Sequence, residues 1–430
     1  MKKSFTLILA AVVVLALVLG ALYYLTRPKE VKSLGFASTQ LGATAEKVFL
    51  MNLLGNFTQT TGIPVDALIT SAYSDVLSRI EAEQKSGQVT ISLLGDLESN
   101  IYLYADRGWV IDMRGYGTLP GRTFIPSIEK TGDYKGRKVF IPWMTATYVF
   151  VVNKKAFDYL PKGLTKDDVI MGTDRWTYDA LLAWAKNIYD ATGQKMLGFP
   201  LHPNGLFHRF LHGCLYPSYT GAQVKNFDSQ DAITMWTYLK ELWNYVNPAS
   251  STYSIMSDPL LKGEVWIAFD HIARIKDAVV QQPDAFYVVP VPAGPKGRGL
   301  LTVVAGLTIM KGAPAPQEAW QLIEYLTRPD IQAQTLQATG FLPTTLEAAG
   351  KVPEGPVKNL VQAVNRELSL PDVKTYYIPP LGAQGPQFNQ VYRTAFQRIV
   401  LGGEDPSKVL PELKTQLLGI FQQAGVSSDI

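Results

Sequence analysis

Residues Arg137–Phe157, RKVFIPWMTATYVFVVNKKAF, leave the chain few ways to fold. Two runs rich in Val, Ile, Phe, Tyr and Thr, Val139–Ile141 and Thr147–Val152, fit pleated, buried surfaces and predict strands. Pro142 opens the join between them. A proline cannot donate to a sheet ladder, so it belongs at a strand end or on an edge. A β path broken there can leave one sheet and enter another. The stretch therefore predicts a first crossing between two lobes, with Trp143 where they face each other.

The flanking chain supports two α/β lobes, because 430 residues exceed one ordinary core. Lys32–Ser38 predicts a strand, residues 44–60 a helix with Val48, Met51, Leu54 and Phe57 at helical spacing, and Val65 onward a second strand. Tyr73-Ser74-Asp75 opens another helix, with Ser74 or Asp75 as its cap, and Val89–Leu94 is the next strand. Two strand–helix–strand units imply a parallel sheet, whose ligands sit beyond the carboxyl ends of the strands. That rule singles out Thr39, Gln40, Tyr73 and Asp96. Further on, Thr177 caps a helix ended by Gly193, residues 198–219 read as loop, and residues 228–246 form a long helix.

Several functions are excluded early. A net charge of +3, with no basic run interleaved with aromatics, argues against nucleic acid. No G-x-S-x-G, P-loop or G-x-G-x-x-G is present. His208 and His212 could bind a metal from one helix face with Cys214 or His202, but no H-E-x-x-H accompanies them, and no metal or cofactor is expected. The lone cysteine excludes an intramolecular disulfide.

Residues 1–31 stand apart. Met1-Lys2-Lys3 precedes an apolar run, Leu7–Leu25, long enough to span a bilayer. The best cleavage site, Val18-x-Gly20 before Ala21, is mediocre, so an uncleaved signal anchor is expected, with a cleaved signal peptide the alternative. Either places the body outside the cytoplasm.

The motifs in order resemble those of bacterial extracellular solute-binding proteins of ABC importers, the carbohydrate-binding group related to maltose-binding protein. Gly136, Phe140, Pro142, Asn153-Lys154 and Phe157 match its G-x-x-Y/F-x-x-P…N-K…F segment. Ser86-Gly87 and Leu103–Asp112 match its S-G and L-x-x-x-G-x-L-x-D-L runs, although Val89-Thr90 replaces the usual Pro-Asp. Trp176-Thr177-Tyr178-Asp179, Gly263–Asp270, Pro292–Gly297, Glu318-Ala319-Trp320, Gly340–Pro343 and Leu401–Leu410 continue the likeness to residue 425 or so.

The resemblance implies a two-lobe periplasmic-binding-protein type II fold with three crossings, near Pro142, Pro292 and Phe341. Lobe 1 would comprise residues 32–145 and 293–342, and lobe 2 residues 146–292 and 343–430. It implies a monomer that binds a carbohydrate in the interlobe cleft and delivers it to an ABC permease with its ATPase subunits. Sugars need aromatic faces for their C–H surfaces and planar polar groups for their hydroxyls. The ligand set is then Thr39, Gln40, Tyr73, Asp96, Trp143, Phe207, His208, Asp270, His271, Asn389, Gln390 and Arg393. Phe207 stands where relatives present an aromatic residue, Asp270-His271 where they present Gly, Pro or Trp, and Arg393 on a helix similar to a ligand-contacting one. Tyr376-Tyr377 resembles the tyrosine pair of ferric-binding relatives. The alternatives are an anchored extracellular hydrolase using His208, Asp270 and His271, a sensory domain, and a binding protein for a non-sugar solute.

Overall fold

A computed structural model describes residues 33–430. The N-terminal apolar run lies outside them, and among the described residues no helix is long and apolar enough to cross a membrane. The first lobe begins with β1 (Leu34–Ser38), α1 (Thr44–Thr61), β2 (Val65–Ile69), α2 (Tyr73–Ser86), β3 (Leu93–Leu97) and α3 (Glu98–Asp106). β1 pairs in parallel with both β2 and β3, as alternating strand and helix require. α1 buries Leu50, Leu53, Leu54 and Phe57, so its inner face is rotated from the expected one, and Val48 and Met51 are exposed. α2 starts at Tyr73 with Ala72 as its cap, and neither Ser74 nor Asp75 serves. β3 runs to Leu97, so Asp96 lies within the strand instead of beyond it.

β4 (Ile141–Asn153) is one unbroken strand where two were expected. Pro142 is tolerated near its start because the ladder slips by a bulge at Ala305/Gly306, opposite the residue with no N–H. Its first half, to Thr147, pairs with β7 (Arg298–Ile309) of the first lobe's sheet. Its second half, from Tyr148, pairs with β5 (Ile267–His271) and β6 (Phe286–Val289) of the second. The crossing therefore lies near Thr147.

β7 carries the second crossing, and it starts inside lobe 2. Its first residues, Arg298–Leu301, pair with β9 (Val373–Tyr376) before the strand turns to β4 and then β3. Arg298 explains why the crossing comes later than Pro292. Its buried guanidinium donates to Val291 O, Thr173 O and Trp176 O and to both oxygens of Asp372, all in lobe 2. After the expected third crossing near Phe341, β8 (Leu342–Pro343) pairs with Thr145 and Met144, beside the first crossing.

The second lobe packs α4 (Tyr178–Thr192), α5 (Gln230–Leu242), α10 (Gly385–Ala395) and α11 (Pro406–Ala424) on one face of its sheet. α6 (Ile272–Gln281) and α9 (Pro356–Leu368) pack on the other. Thr177 caps α4, its Oγ1 accepting from Ala180 N at 3.1 Å, as its sequence position indicates. α7 (Pro316–Leu326) belongs to lobe 1, and α8 (Pro329–Thr339) leads to the third crossing. The stretch expected as loop is helical over residues 207–220, with a π segment at 211–215. Phe207, Phe210, Leu211, Cys214 and Leu215 are all buried there, and a core that dense in aromatic groups overrides weak local propensity.

Candidate functional site

The carboxyl end of β3 builds the lobe 1 wall. Asp96 is fully buried and accepts hydrogen bonds from Thr39 Oγ1, Leu97 N at 2.8 Å, Asn100 Nδ2 at 2.9 Å and Tyr104 OH at 3.2 Å. Burial raises its pKa, and these donors pull the other way. Gln40 Nε2 donates to Thr39 Oγ1, so Thr39, Gln40 and Asp96 form one network. Two residues on, Glu98 opens α3 with its carboxylate turned inward. Oε2 accepts from Val304 N at 2.9 Å, and Oε1 is buried without a partner. Burial pushes this carboxyl up to about 8, against the pull of Val304 N and of Arg209 across the lobe boundary.

Lobe 2 answers with arginines. Arg209, from the helical stretch after Phe207, has one side-chain contact, Nη1 to His212 Nε2 at 3.4 Å. Among the described residues it joins no ion pair, unlike Arg298 with Asp372 at 2.8 Å. Burial lowers its pKa, and the nearby Tyr148 and Glu98 oppose this. Arg393 Nη2 donates to Gly205 O at 2.8 Å, Pro203 O at 3.2 Å and His208 Nδ1 at 2.9 Å. Arg274 Nη1 holds Asn204 O and Ser254 O, both at 3.1 Å. The loop Pro203–Gly205 is thus pinned from two helices. His208 and His212 are held well below the usual histidine range by burial and by Arg209. His271 is pushed down to about 3, by burial first and then Arg274 and Arg209. All three rings are neutral at pH 7.

The lobes meet closely at this site. A Cβ on Gly382, at φ +51, would stand 2.6 Å from Leu103 Cδ1 and 3.4 Å from the Tyr73 hydroxyl. Only glycine lets the lobe 2 backbone pass so near. Arg274 of lobe 2 also lowers the acid range of Glu46 in α1, although burial raises it more.

The structure joins some of the expected residues and separates others. Thr39, Gln40, Tyr73 and Asp96 share the lobe 1 wall, and His208 and Arg393 are bonded in lobe 2. His271 caps α6 through Nδ1 and Ala273 N. Asn389, one turn before Arg393, has a buried Oδ1 without a partner. Gln390 is exposed and bonds Thr394. Asp270 turns into lobe 2, where its carboxylate accepts from Met256 N and His271 N. Phe207 is enclosed by Phe199, Phe210, Trp243 and Phe396. The Trp143 ring lies in the lobe 1 core against Phe36 and Gly95. Among the described residues no group of three or more His, Cys, Asp or Glu could hold a metal ion. Sequence reasoning missed Glu98, Arg209 and Arg274. The strand-end rule that selected Asp96 could have reached Glu98, and Arg209 was hidden in a stretch read as loop.

The buried carboxyls make stability pH-dependent. Glu98 and Glu367 rise from an ordinary 4.5 to about 8, and Asp270 from 3.8 to about 7, chiefly by burial. The folded protein keeps protons that the unfolded chain releases above about pH 4.5, so stability falls as pH rises toward about 8. Glu367 Oε1 accepts from Val291 N while Oε2 lacks a partner. Glu367→Gln should therefore flatten part of the fall, on the order of 3 kcal/mol between pH 5 and pH 8. Urea unfolding of the unliganded protein across that range measures it. Parallel curves for both proteins would contradict it.

Comparison with known proteins agrees with the fold. The family model described as bacterial extracellular solute-binding protein matches residues 52–362. Binding proteins of Brucella abortus and Brucella suis are 30% identical over 137 residues, 32% of this chain and 32% of theirs. The chain thus spans about a third of the length of these curated relatives. Among solved structures, maltose-bound MalE3 of T. maritima superposes with a TM-score of 0.71 at 17% identity, covering 90% of this chain and 99% of that one. The sugar-binding protein MalE from Xanthomonas citri gives 0.69 at 17% identity, over 91% and 98%. UgpB from Mycobacterium tuberculosis, in complex with glycerophosphocholine, gives 0.68 at 18% identity, over 91% and 99%. At these identities the likeness is one of fold.

Proposed function

The chain belongs to the bacterial extracellular solute-binding protein family, and we propose that it captures a carbohydrate between its lobes and delivers it to an ABC permease. The family's work is binding without turnover, outside the cytoplasm. What supports a polyhydroxylated solute is one pairing across the lobe boundary. Glu98 brings a buried oxygen without a partner, and Arg209 brings guanidinium donors with a single long contact. Buried polar groups are normally satisfied. With its carboxyl protonated, Glu98 donates from Oε1 as Arg209 does from its guanidinium, so the pair calls for a molecule rich in accepting oxygens, such as hydroxyls. The Asp96 network adds polar groups around Thr39 and Gln40, as neighbouring hydroxyls would need. The N-terminal apolar run, outside the described residues, would tether the protein at the cell surface.

A second reading has its own observation. Among the described residues Arg209 has no carboxylate partner, so it could equally hold the phosphate of a phosphorylated polyol. A thermal-shift and calorimetric panel of mono- and oligosaccharides, phosphosugars and glycerophosphodiesters separates the two. A neutral sugar is expected to bind, raise the melting temperature and reduce the radius of gyration in solution scattering. Binding confined to phosphorylated compounds would favour the second reading. A confirmed solute that leaves the radius of gyration unchanged would remove lobe closure from the proposal.

A further inference from the structure

A cavity of about 430 Å³ lies over the strands that join the lobes, and none of the residues assigned above to the solute site lines it. Its floor is Thr145, Thr147 and Thr302 on β4 and β7. Ile125 and Ile128 wall it from lobe 1, and Val361 and Leu368 from lobe 2. No lining residue carries a charge. Its size lies within the range of small-molecule sites.

Two independent features mark it as more than a packing gap. Thr302 is 3% exposed, and its Oγ1 has no hydrogen-bond partner, whereas Thr145 and Thr147 donate to Val303 O and Leu301 O. An unmade hydrogen bond at a buried hydroxyl costs free energy that a bound group would recover. Leu346 and Leu368, on the rim, are 54% and 40% exposed. A single exposed leucine is ordinary, but two bordering the same uncharged cavity offer apolar area for an occupant to cover.

We propose that this cavity is a second ligand site, for an uncharged molecule with a hydroxyl head on Thr302 and a short hydrocarbon body between the rim leucines. It is independent of the solute reading, since it shares no residue with Glu98 and Arg209. Because its walls come from both lobes, its occupant is linked to their relative placement, and solute and occupant must influence each other's affinity reciprocally.

Hexane-1,6-diol is a suitable probe, with a hydroxyl at each end of a six-carbon body. A molecule of this size should bind with a dissociation constant on the order of 1 mM. Ligand-observed NMR titration of the full chain reads this, with charged hexanoate as a control that should bind more weakly. Thr302→Val should weaken the diol about fivefold, the worth of one neutral hydrogen bond. Ala349→Trp should fill the cavity and abolish binding, and Ser127→Trp does so from the lobe 1 wall should the first variant fail to fold. Arg209→Ala should leave diol binding unchanged. Failure of the diol to saturate up to about 100 mM, or equal binding by the filled variants, would overturn the site. Loss of diol binding in Arg209→Ala would place the probe in the solute cleft and overturn it too.

Discussion

Replacing Trp143 by alanine is expected to destabilise the unliganded protein by about 3–5 kcal/mol, the cost of emptying a large aromatic site in a core. The ring is 1% exposed and meets Phe36 edge-on, with centroids 6.4 Å apart. It also fills the space beside Gly95, where a Cβ would stand 3.0 Å from its Cζ3. The Trp143 carbonyl accepts from Gln332 Nε2, which further ties the strand to α8. Trp143→Phe should cost far less, because most of the area stays and the buried indole N–H, which has no partner, is removed. Guanidinium unfolding of both variants measures the difference. An alanine variant as stable as the parent, but unable to bind solute, would return the ring to the cleft.

Trp143 also shows where the sequence stops being legible. Every β4 residue but the last is buried, so alternation of polar and apolar groups does not show which face of a crossing strand meets core and which meets solute. The parallel half-sheet was legible because strand and helix periods alternate there, and Gly62 and Gly87 terminate the helices. Asp96 could be located by the strand-end rule, although its strand extends past it. Residues 207–220 were not legible as helix. Their structure comes from aromatic packing between Phe207, Phe210 and distant Phe199, Trp243 and Phe396, contacts with no local signature. The late second crossing likewise depends on Arg298 reaching carbonyls more than a hundred residues away in the chain.

Arg209→Ala is expected to weaken solute binding by about a hundredfold or more, near 3 kcal/mol, without lowering the stability of the unliganded protein. The two halves of this result have one cause. A partly buried guanidinium with one long contact and, among the described residues, no ion pair adds little to the fold, so deleting it should leave the unliganded protein about as stable. The same donors, left open, are what a solute oxygen would satisfy in a site shielded from water. Arg393 makes the contrast. It already holds Pro203 O, Gly205 O and His208 Nδ1, so Arg393→Ala should loosen the loop and cost apo stability on the order of 1 kcal/mol or more. Glu98→Gln completes the cycle. If Glu98 and Arg209 grip one solute, the double variant should lose less affinity than the two single losses added together. Calorimetric titration and denaturant unfolding of the four proteins read both quantities. An Arg209→Ala protein that binds solute normally but unfolds more easily would make the arginine a support for lobe 2 instead of a contact for solute.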